Sequence, residues 1–275
     1  MSISVLILTK NEEKDIKGCL ESVSWSDDIH VLDSYSTDNT VGIVQNTDAF
    51  ITQRVFDGYA SQRNYGLHHI KYKYSWLLIL DADERVPSQL LQNLEAFIAK
   101  MPANVVAGRI RRRDFLWGQW LKHAQISPYY VRLVRPEKVR YDREINEVLL
   151  VDGDTEDVLG YFDHYPFSKG IDHWLIKHNT YSHMEAELIV NNNIIEPSLK
   201  AALFSPDFNE RRLHQKAFFY RMPARPFIKF CYMMFFRLSF LDGKAGFTYA
   251  CLQTIYEYFI VLKAYELRLN KGQKK

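Results

Sequence analysis

The chain has 275 residues, of which 47% are hydrophobic and 25% are charged, a composition typical of a globular protein with a well-filled core. The formal net charge of +2 is too small to create the field of a nucleic-acid-binding protein, so no nucleic-acid partner is expected. The three cysteines, Cys19, Cys231 and Cys251, are widely spaced and form no CxxC pair, which disfavours a disulfide framework or a zinc site. We interpret them as small buried hydrophobic residues in a reducing cytoplasm.

The first hundred residues alternate short apolar segments with helical patterns. Residues 3–8 read as a buried strand and not as a signal peptide, and residues 29–32, 49–52 and 76–80 read as three more strands. Asn11 is predicted to cap the first helix, and Pro87 to open a later one. This alternation predicts an α/β fold with a parallel sheet covered by helices on both faces.

The rest of the chain has a different pattern. Residues 105–110, 129–134 and 148–151 are predicted strands, and the chain is mainly helical from Trp174 onward. Residues 207–216 are expected to form a mobile, charged connection before two apolar helices at residues 227–241 and 247–267. We therefore expect a catalytic domain at residues 1–190 and a helical, membrane-associating region at residues 191–275.

Polar side chains follow three of the predicted strands. Thr9, Asp33 and Asp81 each stand at a strand's carboxyl end, where ligands bind in open α/β sheets. Asp81 and Asp83 form an Asp-x-Asp turn, and two carboxylates on a tight turn suit Mg²⁺ or Mn²⁺ bound together with diphosphate oxygens. The sequence thus predicts a metal and diphosphate site at this edge, although such a pair also occurs in ordinary turns.

Other polar residues allow two interpretations each. Asp33 can accept hydrogen bonds from a nucleobase or ribose, or can close an Asx turn with its own loop. Arg63, within Gln62-Arg63-Asn64, can bind a diphosphate or belong to a solvated helix face. The basic residues of two further segments can meet phosphates on an acceptor or simply face solvent; they are Arg109, Arg111, Arg112, Arg113, Arg132 and Arg135.

Four short elements, in order along the chain, resemble those of the family-2 glycosyltransferases. They are Val5-Leu6-Ile7-Leu8-Thr9-Lys10-Asn11-Glu12-Glu13, Val31-Leu32-Asp33-Ser34 with Ser36-Thr37-Asp38-Asn39-Thr40, Gln62-Arg63-Asn64, and Leu80-Asp81-Ala82-Asp83-Glu84. The resemblance implies a GT-A fold with a mixed, mostly parallel sheet, an inverting mechanism and a nucleotide-sugar donor. It also implies roles for individual residues: Thr9, Glu12 and Asp33 for the nucleoside, Arg63 for the diphosphate, Asp81 for the ribose or sugar, and Asp83 for the metal.

Later segments are similar to the bacterial lipopolysaccharide-core glucosyltransferases of this family, which add a β-linked glucose to an inner-core heptose. The similar segments are residues 129–136, Glu144-Ile145-Asn146-Glu147-Val148-Leu149, His164-Tyr165-Pro166, residues 177–182 and residues 240–247. The group often has Val-His-Glu where this chain has Ile145-Asn146-Glu147, so no role of that histidine carries over.

An inverting transferase needs a base that takes the proton of the acceptor hydroxyl, and a carboxylate within hydrogen-bond reach suffices. We assign Glu147 to this role, with Glu144 as the second choice and a surface position as the alternative for both. His164 is a candidate second metal ligand, because neutral imidazole binds Mn²⁺, and a structural histidine is the alternative.

These observations predict a peripheral enzyme on the cytoplasmic face of the inner membrane that moves glucose from UDP-glucose to a lipid-linked oligosaccharide. The apolar C-terminal helices carry basic residues, a composition typical of helices that lie in a membrane interface, although packing on protein would also explain it. The alternatives are transfer to another glycan or a peptide, and a catalytically silent adaptor with the same fold. The oligomeric state is open.

Overall fold

The computed structural model describes residues 2–142, 148–191, 194–206 and 208–272. The chain divides into two compact units. The first comprises Met1–Phe115 and Ile126–Ser168, and the second comprises Leu116–Gln125 and Lys169–Lys275.

The strands, in chain order, are β1 (Ile3–Thr9), β2 (Ile29–Asp33), β3 (Phe50–Gln53), β4 (Trp76–Asp81), β5 (Glu84–Arg85), β6 (Val105–Leu116), β7 (Gln119–Trp120), β8 (Tyr129–Val134), β9 (Val139–Asp142), β10 (Val148–Val151) and β11 (Asp154–His164). The α-helices are α1 (Ile16–Ser22), α2 (Thr40–Gln45), α3 (Tyr59–His69), α4 (Ser88–Lys100), α5 (Ile171–Val190), α6 (Leu199–Phe204), α7 (Phe208–Phe219), α8 (Arg225–Cys231) and α9 (Gly243–Gly272).

The main sheet has the strand order β3-β2-β1-β4-β8-β6-β11-β5. β3, β2, β1 and β4 run parallel to one another, β8 is antiparallel to both β4 and β6, β11 runs parallel to β6, and β5 is antiparallel to β11. This mixed, mostly parallel sheet, with its α/β connections, is the predicted GT-A fold. β9 and β10 form a separate antiparallel pair.

The core of the first unit lies on both faces of the sheet. Val5 and Ile7 of β1 pack into one apolar cluster, while Leu6, between them, packs into another on the opposite face. Because successive side chains of a strand point to opposite faces, a run of apolar residues such as β1 is buried on both sides. The sheet is therefore fixed rigidly enough to hold the polar side chains at its strand ends.

The second unit is built around α5 and α9. Ala186 and Ile189 of α5 pack against Ile260 and Ala264 of α9 in a buried cluster. Residues 116–125 belong to this unit because Asp242, which is buried, accepts hydrogen bonds from the backbone amides of His123 (2.8 Å) and Ala124 (2.7 Å).

Glycine is required at the start of α9. A Cβ on Gly246 would lie 2.0 Å from the carbonyl oxygen of Ser239, so no side chain fits without movement of the backbone. No helix in the described part of the chain is both long and apolar enough to cross a membrane.

Some predictions about secondary structure are wrong. Asn11 does not cap a helix: it has a positive φ of 56°, and α1 begins five residues later, at Ile16. From residue 208 onward, the expected mobile connection is the helix α7. The single helix expected at residues 227–241 is three pieces, because α8 passes into a π-helical turn at Tyr232–Phe236 and then a 3₁₀ turn at Ser239–Asp242. Leu238, with φ of 56°, interrupts the helical backbone between the two turns.

The predicted boundary at residue 190, between a catalytic domain and a helical, membrane-associating region, stays a prediction. α5, which the sequence analysis placed in the catalytic domain, packs within the second compact unit.

Candidate functional site

Thr9 and Asp33 end two neighbouring parallel strands and contact each other. They are register partners, and the Thr9 hydroxyl donates to Oδ1 of Asp33 over 3.0 Å. Asp33 is completely buried, and it also accepts from the Ser36 amide (2.9 Å), the Ser36 hydroxyl and Nε2 of Gln53 (3.1 Å). The hydrogen bonds from Ser36 close the loop after β2, as expected if Asp33 forms an Asx turn instead of binding a nucleoside. That role of Asp33 stays a prediction.

The loops after β1 and β2 are joined by reciprocal hydrogen bonds. Oδ1 of Asn11 accepts from the Thr37 amide (2.8 Å), and the Asn11 amide donates to Ser36 Oγ (2.8 Å). Glu12 donates its backbone amide to Oγ1 of Thr40 over 2.8 Å. The positive φ of Asn11 turns the chain toward the second loop, so this residue organises the site edge instead of starting a helix.

The first turns of α3 connect this region to the end of β4. Gln62 is buried, and its Nε2 donates to Ser34 Oγ over 3.1 Å. Its neighbour Arg63 places Nη2 3.4 Å from Oδ1 of Asp81 and stacks its guanidinium over the ring of Tyr141. The structure thus brings Arg63 beside Asp81, and its role in binding a diphosphate stays a prediction.

Asp81 is partly exposed and forms a group of charges with two buried residues, Glu84 and Arg132. Nη2 of Arg132 lies 2.9 Å from Oδ2 of Asp81 and 2.7 Å from Oε1 of Glu84. The other oxygen of Glu84 accepts from the Asp81 amide over 3.0 Å. Arg132 is 6% exposed and Glu84 is completely buried. This arrangement fixes both ends of the Asp-x-Asp turn.

The charges in this group shift one another's pKa. Burial raises the pKa of Glu84 to about 7, and the negative charge of Asp81 adds to that effect against the opposing charge of Arg132. Burial alone would also raise the pKa of Asp81, but Arg132 and Arg63 outweigh it and lower that pKa. Asp81 therefore keeps its negative charge at a position where its side chain is still 37% exposed.

Asp83 and His164 face each other across the same turn. Oδ2 of Asp83 lies 3.2 Å from Nε2 of His164, and Nδ1 of His164 lies 2.5 Å from Oδ1 of Asp114. Asp114 is buried and also paired with Nε of Arg112 at 2.9 Å. Burial alone would lower the pKa of His164, but its bonds to Asp114 and Asp83 outweigh burial and raise that pKa to about 9.

Strand register explains why these residues meet. His164, at the end of β11, is paired with Asp114 of β6 on one side and with Glu84 of β5 on the other. The backbone amide of Tyr165 donates to the carbonyl of Asp83 over 2.9 Å, which holds the turn beside the strand. The two residues predicted as metal ligands are thus placed together by pairing between distant parts of the chain.

The pair of Asp83 and His164 fits a divalent cation. One carboxylate oxygen and one imidazole nitrogen face each other, and the second ring nitrogen is held by a carboxylate, as is usual for metal-binding histidines. Within residues 2–142, 148–191, 194–206 and 208–272, no group of three or more His, Cys, Asp or Glu side chains is placed to hold a metal.

The basic segments mostly form ion pairs within the protein. Arg109 pairs with Asp157 at 2.7 Å, and Arg113 pairs with Asp163 at 2.6 Å. Together with the pairs of Arg112 and Arg132 described above, these contacts give four of the six arginines an acidic partner within the protein, although Arg109 is still 45% exposed. Whether any of them meets acceptor phosphates stays a prediction. Glu147 and Glu144, the predicted bases, lie outside the described residues.

Three residues that hold the site together were not predicted from the sequence. Arg132 was read only as part of a basic segment, and neither Glu84 nor Asp114 was assigned a role. A signal for Glu84 was present, since an acid directly after Asp81-Ala82-Asp83 at a buried turn requires a cation. No nearby sequence pattern indicates that Arg132 or Asp114 lies in the site, because these residues belong to the distant strands β8 and β6.

Comparison with known sequences identifies the family of this chain. The model of the glycosyl transferase family 2 matches residues 4–162. The chain is 26% identical to the lipopolysaccharide core biosynthesis glycosyltransferase LpsC of Rhizobium meliloti (strain 1021), over 99% of this chain and 95% of LpsC. It is 35% identical to an uncharacterized glycosyltransferase of Rickettsia bellii (strain RML369-C), over 35% of this chain but only 33% of that protein.

Two solved structures are similar at low identity. TarS 1-349 of S. aureus, in complex with UDP-GlcNAc, is 15% identical with a TM-score of 0.44, and the match covers 94% of this chain and 91% of that chain. Glucosyl-3-phosphoglycerate synthase of Mycobacterium tuberculosis, in complex with Mn²⁺, UDP and glucosyl-3-phosphoglycerate, is 21% identical with a TM-score of 0.34. That match covers 42% of this chain and 43% of the synthase.

Proposed function

Because the chain belongs to glycosyl transferase family 2 and is a glycosyltransferase, we propose that it transfers glucose from UDP-glucose to a lipid-linked acceptor such as the lipopolysaccharide inner core. The pairing of Asp83 with His164 beside the strand ends carries the proposal, because it supplies the ligands that a nucleotide-sugar site needs. The match to a lipopolysaccharide core glycosyltransferase over almost the full length supports the proposed acceptor. The sequence resemblance to core glucosyltransferases supports glucose as the transferred sugar.

The donor is held by the edge of the sheet where β1, β2 and β4 end. Thr9, Glu12 and Asp33 are proposed to form the nucleoside side, with loops already locked by hydrogen bonds. Arg63 and Asp81 are proposed to face the diphosphate and the ribose or sugar. Because these side chains are fixed before the donor arrives, little ordering of the protein opposes binding.

Asp83 and His164 would hold Mg²⁺ or Mn²⁺. The cation supplies positive charge where the nucleoside diphosphate leaves. Asp114 keeps the imidazole of His164 oriented so that Nε2 faces Asp83, and Arg112 in turn holds Asp114. For binding, His164 must be neutral, and its bonds to two carboxylates favour the charged form until a cation replaces the proton.

Inversion requires the acceptor hydroxyl to attack the anomeric carbon while its proton passes to a base. Glu147 is proposed as that base, with Glu144 as the second choice. Glu147→Gln keeps the donor-binding residues intact, so calorimetry should find UDP-glucose binding unchanged while turnover is lost. Equal turnover of the variant and the wild type would move the role elsewhere.

The second unit is proposed to contact the cytoplasmic face of the inner membrane. Phe227, Phe235 and Phe236 are 68%, 69% and 80% exposed, and they lie on the segment that contains Lys229 and Arg237. Aromatic rings enter the interface of a bilayer, while the long basic side chains reach its headgroups. Such contact brings the enzyme to an acceptor that is anchored in lipid.

A panel of nucleotide sugars tests the reaction. Purified protein is incubated with each donor, Mn²⁺ and a lipopolysaccharide inner-core acceptor, and the release of nucleoside diphosphate is measured. We expect UDP-glucose to give the highest kcat/KM and the release to require the acceptor. Another preferred donor or acceptor supports the alternative family-2 transfers, and no release with any donor supports the silent adaptor.

A further inference from the structure

The second unit contains a cavity of ≈ 760 Å³ that the proposed transfer reaction does not use. Its lining includes three arginines, Arg221, Arg225 and Arg268, and one acid, Glu196. The volume lies within the range of small-molecule sites in proteins. Three guanidinium groups around one cavity favour an anion over a neutral or cationic ligand.

Arg225 has donor capacity that its known contacts do not use. Its Nε lies 3.2 Å from Oε1 of Glu257, and both residues are buried. Its Nη1 is also buried, and no described residue is its hydrogen-bond partner. A buried donor without a partner is destabilising, so an acceptor in the neighbouring cavity would remove this penalty.

The other two arginines are available to a ligand. Arg221 pairs with Glu196 over 2.8 Å, but their side chains are 54% and 90% exposed, and so exposed a pair contributes little stability. Arg268 is exposed and has no ion pair with any residue in the described part of the chain. The three arginines therefore outnumber their two acidic partners, Glu196 and Glu257, and the cavity keeps an excess of positive charge.

The rest of the lining is largely apolar. Ile189, Met222, Pro226 and Val261 are among the residues that form it. An inorganic anion would leave this surface exposed to water, whereas a ligand with an apolar group would cover it. The ligand must therefore combine a compact negative group with an apolar part.

We infer that the cavity enclosed by residues of α5, α7, α8 and α9 is a second ligand site, which binds a phosphate monoester carrying an apolar group. Arginine forks match phosphate oxygens with two parallel hydrogen bonds. The phosphate could be carried by a lipid headgroup or by a free organic phosphate, and the chemistry that the cavity recognises is the same for both. The inference does not depend on the proposed donor or acceptor of the transfer reaction.

Calorimetry with the full chain tests this site without any measurement of sugar transfer. Hexyl phosphate is the probe, and inorganic phosphate and hexanol are the comparison ligands. We expect hexyl phosphate to bind at least about tenfold more tightly than either, because only it contacts both the arginines and the apolar lining. Equal binding of inorganic phosphate or of hexanol, or no binding of hexyl phosphate, would overturn the inference.

Two exposed lining residues give variants that should fold. Arg268→Ala removes an unpaired cation, and Met222→Glu adds a charge to a side chain that is 45% exposed. Each should weaken the binding of hexyl phosphate about tenfold or more, whereas Arg212→Ala, an exposed arginine outside the cavity lining, should leave it unchanged. Equal losses in all three variants would mean unspecific charge attraction and would overturn the site. Thermal unfolding of each variant checks that it is folded.

Vesicles distinguish the two sources of the ligand. Vesicles that contain phosphatidic acid should compete with hexyl phosphate if the site takes a lipid headgroup, and the competition should be lost in Arg268→Ala. Binding of hexyl phosphate without such competition assigns the site to a soluble organic phosphate.

Discussion

Asp83 and His164 are far apart along the chain, yet Oδ2 of Asp83 lies 3.2 Å from Nε2 of His164. The contact exists because β11 ends beside β5, where the Asp-x-Asp turn continues into the next strand. Asp114 holds the second nitrogen of the imidazole from β6. Pairing among β5, β6 and β11 thus brings one carboxylate and one imidazole together, and the proposed metal site depends on this contact.

Asp114→Asn should weaken Mn²⁺ binding without removing a metal ligand. The uncharged amide of the variant cannot orient the imidazole of His164 as the carboxylate of Asp114 does. Loss of a hydrogen-bond partner of a metal-binding histidine typically lowers metal affinity about 10–100-fold. Calorimetric titration of Mn²⁺ in the presence of UDP gives the measurement. Asp157→Asn, which affects an exposed pair with Arg109, is the matched control and should bind Mn²⁺ as the wild type does. Unchanged affinity in Asp114→Asn would show that this carboxylate does not orient His164.

Arg132→Met should destabilise the fold strongly. The substitution leaves the buried Glu84 without its cation, and the loss of one partner of a buried pair costs about 3–5 kcal/mol. The double variant Arg132→Met/Glu84→Gln should recover part of this loss, because the remaining side chain carries no charge. Urea unfolding measures both.

Arg109→Met provides the comparison for Arg132→Met. Arg109 pairs with Asp157, but their side chains are 45% and 40% exposed, so the loss should stay below about 1 kcal/mol. Equal losses for Arg109→Met and Arg132→Met would contradict the role given to the buried group.

The sequence predicted the parts of the site that depend on local pattern. β1, β2 and β4 are apolar runs that end at Thr9, Asp33 and Asp81, and the structure has the same strand ends. The helix at Ser88–Lys100 follows Pro87 as predicted. Buried parallel strands and the turns after them carry their information in consecutive residues, so they can be recognised without any knowledge of the neighbours.

Contacts between distant strands could not be predicted in this way. The sequence gives no register between β11 and β6, so it cannot show that Asp114 meets His164. The same holds for Arg132, whose partners depend on the position of β8 beside β4. In the helical region, the exposed charges of α7 suggested a mobile connection, whereas bonds such as that between Lys216 and Glu185 (2.7 Å) tie the helix to α5.

Asp28→Asn should reduce stability in a pH-dependent way. Asp28 is buried, and burial alone would raise its pKa, but hydrogen bonds from the Ser4 hydroxyl, the Lys73 amide and His30 lower it. A lowered pKa in the folded state stabilises the protein above the unfolded pKa of about 3.9, and this stability is lost as the pH falls through the folded pKa.

We expect Asp28→Asn to cost about 2 kcal/mol at pH 7, the scale of hydrogen bonds to a charged group. The difference from the wild type should shrink as the pH is lowered below about 4. Urea unfolding at a series of pH values gives the comparison. A constant difference across the series would mean that the charge of Asp28 does not contribute to folding.

The aromatic surface of the second unit should determine binding to anionic vesicles. Phe235→Ser/Phe236→Ser removes two exposed rings and should lower the sedimented fraction at low salt several-fold, since each buried ring contributes apolar area at the interface. High salt should release the wild type, because headgroup attraction is screened. Leu159→Ser, at an apolar side chain in the first unit that is 75% exposed, is the control and should sediment as the wild type does. If the wild type does not sediment with anionic vesicles at low salt, the proposal of membrane contact is wrong.

The most direct test of the proposed reaction is the transfer of glucose from UDP-glucose to a lipopolysaccharide inner-core acceptor, measured by mass spectrometry of the product. With Mn²⁺, the wild type should add one hexose, and Asp83→Ala should be slower by at least about a hundredfold, as when one electrostatic stabiliser of a leaving group is removed. Asp48→Ala, at an exposed acid, should keep the wild-type rate. Undiminished transfer by Asp83→Ala, or by the wild type in the presence of a chelator, would contradict the account.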